Sequence, residues 1–328
     1  MANYYTGAGA SFQVGKETTF ATQATPTNAI NFLNESISLS VERLTEDSLI
    51  VSKTARAMDV MGFSVAGDFS VILKPENIKQ LLHLSLGVED APTLVPATTG
   101  AYSHIFKLID GETSLPSFTA VIDRKVATPA YTGLKVSSLK LDAKAKDFIR
   151  GTISVKGSGK EEVGTLETLP APTMKAYRFV NGSLTIDGVE FADVSSVGLT
   201  IDNTLEDGEQ TLGSGYYNSE GQHSERVINL EIECYYNATS NTIRENKYKT
   251  DGASASIVLT LESPELIEVG QKHRFIVTLP NVVITEANPN ISGKEKIALT
   301  ISGQALETTG AEAIEVNVID GENATSFA

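Results

Sequence analysis

The sequence predicts a mainly β protein built as two tandem β-sandwich or barrel-like modules, each with one short helix. Three observations predict it: apolar and polar residues alternate with period 2 along most of the chain, only two segments carry helical spacing, and two blocks of the first half recur in order in the second. Ile37, Leu39 and Val41 alternate with Ser38, Ser40 and Glu42. Phe63, Val65, Phe69, Val71 and Leu73 follow the same rule against Ser64, Asp68 and Ser70. The pattern returns in Val197, Leu199 and Ile201 against Ser196, Thr200 and Asp202, and in Ile228, Leu230 and Ile232 against Asn229, Glu231 and Glu233. Such runs bury one face and expose the other, as half-buried antiparallel strands do. Further strands are expected at 102–109, 118–124, 134–141, 148–155, 256–261, 274–279 and 297–302.

The first helix is expected at 75–86, where Pro75 suits a first turn, Ile78, Leu81, Leu82 and Leu86 share a side, and Gly87 supplies a left-handed stop. The second is expected at 239–249, before Asp251 and Gly252. Residues 157–173 have the Gly, Pro and charge content of an exposed connector. The expected layout is an extended N-terminal segment 1–35, a first module 36–160, a linker 161–174, a second module 175–306 and a C-terminal tail 307–328.

The duplication rests on two ungapped matches. Residues 36–47 align on 196–207, keeping Ser36/Ser196, Leu39/Leu199, Glu46/Glu206 and Asp47/Asp207, at an offset of 196 − 36 = 160. Residues 146–157 align on 294–305 with five identities, at an offset of 294 − 146 = 148. Both halves also place a helical segment after the second long strand. Chance alignment of Ser/Thr-rich strands is the competing explanation.

Composition narrows the function. The 328 residues carry Lys+Arg 26 against Asp+Glu 41, a net charge of −15, which disfavours gripping nucleic acid or anionic lipid. The single cysteine, Cys234, continues an apolar series and reads as a small buried hydrophobe. The opening residues lack a basic region followed by an apolar core, so export by the general pathway is not expected. No catalytic, metal or cofactor site can be assembled: His83, His104, His223 and His273 are scattered, with neither HExxH spacing nor a GxSxG elbow. The segment from Gly9 to Glu17 imitates a phosphate loop, but five residues separate its glycines and Glu17 stands where Ser or Thr would bind magnesium. The acidic run 202–209 does not match an EF-hand.

Gly9-Ala-Ser-Phe-Gln-Val-Gly-Lys-Glu-Thr-Thr-Phe-Ala-Thr-Gln-Ala-Thr-Pro26, then Phe32-Leu-Asn-Glu-Ser-Ile-Ser-Leu39, and Gly67-Asp-Phe-Ser-Val71 ahead of the Pro-Glu helix, resemble bacteriophage tail tube proteins, also called major tail proteins. So do Gly182-Ser-Leu-Thr-Ile-Asp-Gly-Val189 and Ser196-Val-Gly-Leu-Thr-Ile-Asp-Asn203; together the likeness spans most of 9–305. The resemblance implies a structural, non-enzymatic subunit without cofactor, six modules per ring, and rings stacked into a hollow conduit for genome delivery. It implies residence in the virion tail after assembly in the host cytoplasm. The implied partners are other copies of the chain, a tape-measure protein, tail terminator and tip proteins, a sheath where the tail is contractile, and double-stranded DNA that passes without specific binding.

With two modules in one chain, three chains would supply a pseudo-hexameric ring; without the duplication, six would be needed. The expected lumen face carries Ser38, Ser40, Glu42, Asp68, Thr200, Asp202, Asn229, Glu231 and Glu233, a negative wall along which phosphates slide. Residues 44–58 and 204–225 are equivalent long loops, and the resemblance assigns them to ring stacking, with Leu44, Asp47, Met58, Thr204, Asp207, Tyr216, Tyr217 and Glu225 as contacts. The tails 1–8 and 307–328 have no counterpart in the repeat and are expected to be arms or unstructured. The alternative is a monomeric two-domain β-sandwich that binds a cell surface or carbohydrate. It needs an aromatic platform, for which Trp is absent and Tyr216-Tyr217 with Tyr235-Tyr236 are the candidates.

Overall fold

The structure, a computed structural model, describes residues 4–46, 54, 57–111, 113–250, 252–291, 293–294 and 296–327. The first half runs β1 (Ser11–Lys16), β2 (Asn28–Ile30), β3 (Phe32–Glu35), β4 (Ser38–Thr45), β5 (Met58–Ile72) and α1 (Pro75–Leu86). It continues through β6 (Gly87–Glu89), β7 (Thr93–Leu94), β8 (Tyr102–Leu108), β9 (Phe118–Asp123), β10 (Pro129–Lys144), β11 (Arg150–Gly157) and β12 (Lys160–Val163). The second half holds β13 (Gly182–Ile186), β14 (Val189–Glu190), β15 (Val194–Asp202), β16 (Val227–Tyr235) and α2 (Ala238–Ile243). It ends with β17 (Ala255–Glu268), β18 (Gln271–Glu286), β19 (Ala298–Ala305) and β20 (Glu315–Asp320). Each expected strand coincides with one of these elements, overrunning it by two residues at most.

One antiparallel sheet crosses both halves in the order β4-β5-β11-β10-β15-β16-β19-β18. Behind it, the first half builds the order β2-β1-β9-β10-β12, and the second builds β14-β13-β17-β18-β20. The long strands β10 and β18 therefore belong to two layers, contributing their N-terminal parts behind and their C-terminal parts to the shared sheet. The residues of β10 obey this division: positions 129–136 are buried on both faces, whereas Leu139, Leu141 and Ala143 alternate with the more exposed Ser138, Lys140, Asp142 and Lys144.

Apolar side chains of the two layers meet in the core. Phe12 of β1 and Phe69 of β5, both about fully buried, pack edge to face with centroids 4.9 Å apart. The helix α1 covers the core with Ile78, Leu81 and Leu82 and starts and stops as its sequence requires. Pro75 opens it, Asn77 Oδ1 accepts from the Lys74 N–H at 2.9 Å, and Gly87 closes it at φ 98. The second helix is shorter than its sequence suggests. Asn237 caps it by accepting from the Ser240 N–H at 2.9 Å, but after Ile243 the chain widens into a π-helical turn, Arg244–Tyr248.

Three regions that the sequence places outside the two modules are tied into the fold. Glu17 is a buried carboxylate that accepts hydrogen bonds from the Ala21 and Gly133 N–H groups and the Ser117 and Thr119 hydroxyls, all at 2.8–3.0 Å. The linker is bonded to the first half, with Gln13 and Glu167 exchanging two hydrogen bonds and Lys74 donating to the Pro172 carbonyl. The C-terminal segment forms β20, which pairs with β18 on one side and β8 on the other, joining the two halves. Its last residue, Asp320, is buried against Lys79 of α1 at 2.8 Å and His104 of β8 at 3.0 Å. Ser326 then donates its N–H to Glu89, and Phe327 packs on His83, so this segment clasps its own chain.

Candidate functional site

Every other residue of the shared sheet points away from the core, and the ladder registers line these residues up in rows across the strands. One row runs Ser70, Thr152, Lys140, Thr200, Asn229 and Gln304. A second runs Asp68, Ser154, Ser138 and Asp202, and a third runs Ile72, Arg150, Asp142, Gly198, Glu231 and Ser302. Ser38, Ser40 and Glu42 stand on β4 opposite Ala66, Ser64 and Gly62, and Glu233 stands opposite Ser196, whose hydroxyl donates to it at 2.7 Å. The nine residues expected on a wall thus share one face of one sheet. Eight are exposed, and Thr200 is half-buried. The face is small, polar and ordered by strand pairing.

Sequence reasoning missed the cations on this face. Lys140 and Lys144 of β10 and Arg150 and Lys156 of β11 stand among the carboxylates, and Lys140 lies 3.3 Å from Asp142. For Lys140 and Lys144 the signal is the same alternation, in Leu139-Lys-Leu-Asp-Ala-Lys144. Glu42, Asp68, Asp142, Asp202, Glu231 and Glu233 outnumber these four cations, with the cations gathered on β10 and β11 and Glu231 and Glu233 on β16.

The described ends of the first long loop, and the second loop, lie at one end of the sheet, where the last residues of β4 pair with the first of β5. Leu44 and Met58 are exposed ladder residues at the base of the first, and Asp47 lies outside the described residues. The second folds back on the first half. The Phe63 N–H donates to the Tyr216 carbonyl, the Asn218 N–H to the Ser158 carbonyl, and Gln210 to the Met61 carbonyl at 2.9–3.1 Å. Asp207 pairs with Lys156 at 2.9 Å, and the Thr204 hydroxyl donates to the Glu225 carbonyl. Lys135, almost wholly buried, reaches Glu220 at 2.7 Å and the Gly221 carbonyl at 2.9 Å; burial lowers its pKa, an effect Glu220 opposes. A cavity of about 470 Å³ remains beneath the loop, lined by Glu42, Lys135, Lys156 and Asp207 among others.

The two tyrosine pairs do not make a platform. Tyr216 and Tyr217 pack on Phe63, while the Tyr236 hydroxyl donates to Asn241 beside α2 and Lys296 lies over the Tyr235 ring.

A wide antiparallel sheet with a plain polar face, backed by a second layer, makes this a mainly β protein. The family model described as phage tail tube protein matches residues 7–305, and the chain belongs to that family. It is therefore a structural component of a phage virion tail, one that assembles with itself into a tube alongside other tail proteins. No curated protein sequence matches the chain.

Proposed function

We propose that the chain is two copies of one tube module, that three chains form a ring of six modules, and that stacked rings make a hollow conduit for the genome. One observation carries this reading: the strand graph of the first half recurs in the second. In sheet order within each half, β4-β5-β11-β10 corresponds to β15-β16-β19-β18, and β2-β1-β9-β10 corresponds to β14-β13-β17-β18. The strands β11 and β19 differ by 148 at both ends (298 − 150 and 305 − 157), which is the offset of the sequence match. The β-bulge between Val136 and Ser138 against β11 has its counterpart between Ile284 and Glu286 against β19, again 148 apart.

The polar face of the shared sheet is the lumen in this reading. Ser38, Ser40, Glu42, Asp68, Thr200, Asp202, Asn229, Glu231 and Glu233 line it, net negative even with Lys140, Lys144, Arg150 and Lys156 beside them. Because carboxylates outnumber cations on this face, its net field disfavours a grip on phosphates, so DNA passes without specific binding. Closing the sheet edge to edge between copies also removes its open edges. The loops 44–58 and 204–225, at one end of the sheet, meet the next ring. Tape-measure, terminator and tip proteins, and a sheath in a contractile tail, are the remaining partners, and assembly takes place in the host cytoplasm before the tail joins the virion.

Electron microscopy of tubes grown from the wild-type chain and from a Glu231→Lys, Glu233→Lys variant tests the reading. Both are expected to give hollow stacked rings, because the two positions are exposed, and variant particles are expected to release DNA several-fold more slowly. Release at the wild-type rate contradicts the wall assignment. A wild-type chain that neither forms rings nor adds to purified tail tips contradicts the conduit and favours a monomeric binding module.

A further inference from the structure

Two edges of the shared sheet are bare at opposite ends: β4 pairs only with β5, and the last residues of β18, with the segment after them, have β19 on one side alone among the described residues. The chain also contains a finished junction of the same kind, where β15 of the second half pairs with β10 of the first through Ser138–Asp202, Lys140–Thr200 and Asp142–Gly198. If the halves are copies, this internal junction is a template for the joint between chains.

The numbering transfers without adjustment. On one side the shift is 148: Ser138 corresponds to Glu286 at the bulge, and the Asp142–Arg150 pair recurs as the Asn290–Ala298 bridge (290 − 142 and 298 − 150). On the other side β4 maps onto β15 with a shift of 160, and its ladder partner β5 maps onto β16 with a constant shift of its own. Ser38–Ala66 and Ser40–Ser64 correspond to Gly198–Glu231 and Thr200–Asn229, with both partners moved by 165 (231 − 66 and 229 − 64). We propose that β4 of one copy pairs antiparallel with residues 286–291 of the next, in the register Glu42–Glu286, Ser40–Asn288 and Ser38–Asn290. This seam rests on the ring reading above and specifies its contacts.

Burial supports the assignment independently. Leu199 and Ile201, which have β10 as a lateral neighbour, are 2% and 0% exposed, whereas their counterparts Leu39 and Val41 on the bare edge are half-buried. On the opposite edge, Ala143 is 3% exposed but its counterpart Ile291 is 73% exposed. Apolar side chains left open at both ends are what a missing neighbour of the same kind would cover. The seam differs from its template in two ways that weaken it: Pro289 replaces Leu141 and has no N–H to donate, and Glu42 meets Glu286, two like charges directly opposite. Ring closure is therefore the labile joint of the assembly.

Paired cysteines test the register. Ser40→Cys with Asn288→Cys places two thiols directly opposite across the seam, whereas Ser38→Cys with Asn288→Cys places them on a diagonal; the native Cys234 is buried and does not compete. After mild oxidation of assembled material, the opposite pair is expected to link neighbouring chains at least about tenfold more than the diagonal pair, because a disulfide needs close Cβ atoms. The closed product should migrate as a covalent ring. Rings visible by microscopy in which the diagonal pair links better, or neither pair links, overturn the register while leaving the ring. No rings and no links overturn both. The three positions are exposed, and circular dichroism matching wild type keeps a negative result from being a folding defect.

Discussion

Replacing Asp320 with alanine is expected to destabilise the folded chain by about 3 kcal/mol, at the lower end of the range for breaking a buried ion pair. The carboxylate is 3% exposed and lies between two buried cations, Lys79 Nζ at 2.8 Å and His104 Nε2 at 3.0 Å. Removing it leaves Lys79 with Glu322, whose side chain is mostly in water, and His104 with Glu89 at 3.3 Å. Those remaining partners keep the cost from reaching the top of the range. The loss also loosens β20, the strand that joins β8 of the first half to β18 of the second. Urea unfolding reads the effect as a lower midpoint, and an unchanged midpoint would contradict the clasp. Asp320 lies outside the span of the family match, residues 7–305.

The same cluster makes stability depend on pH. Burial alone would lower the His104 pKa, but hydrogen bonds to Asp320 and Glu89 override burial and hold it at about 9, even with Lys79 nearby. A histidine raised above its ordinary 6.5 contributes its full stabilisation below that value and loses it as the pH climbs through about 9. The loss is on the order of 3 kcal/mol across that window. The carboxylates work in the opposite direction. Burial would raise Glu89 and Asp320, yet their bonds to His104, with His83 and Ser326 for Glu89 and Lys79 for Asp320, hold both below the usual carboxylate range. Their contribution is present above the ordinary carboxylate pKa and falls away in acid. Stability is therefore expected to peak between about pH 5 and 6.5. His104→Gln should flatten the alkaline limb, and equal unfolding midpoints at pH 6.5 and 9 in the wild-type chain would contradict a charged His104.

The legible parts of this fold are those in which a local pattern and its tertiary role agree. Pro75, the Ile78-Leu81-Leu82 side and Gly87 mark α1 because capping and amphipathicity are written within a dozen residues. Ser38 through Glu42 and Asn229 through Glu233 mark the polar face because alternation assigns each side chain to one side of a strand. What stayed hidden depends on partners far away in sequence. Lys79 sits in a helix where a lysine normally faces water, and only the approach of Asp320, 241 positions later (320 − 79), makes it a buried cation. Tyr216, Gln210 and Asn218 read as an open loop, since hydrogen bonds to Phe63, Met61 and Ser158 cannot be inferred from loop composition. The strand β20 is six residues long, and its pairing with β8 joins positions more than 200 apart. In the second helix, expected at 239–249, the cap at Asn237 sets the start at Ala238, and no local signal announces the π-helical turn after Ile243.

The most direct test of the central claim, two modules in one chain, is the mass of a single assembled ring together with its rotational symmetry. Three chains, 3 × 35.0 kDa, in a ring of apparent sixfold outline are expected, each contributing eight strands to a continuous inner sheet. A ring of six chains would contradict the paired-module account.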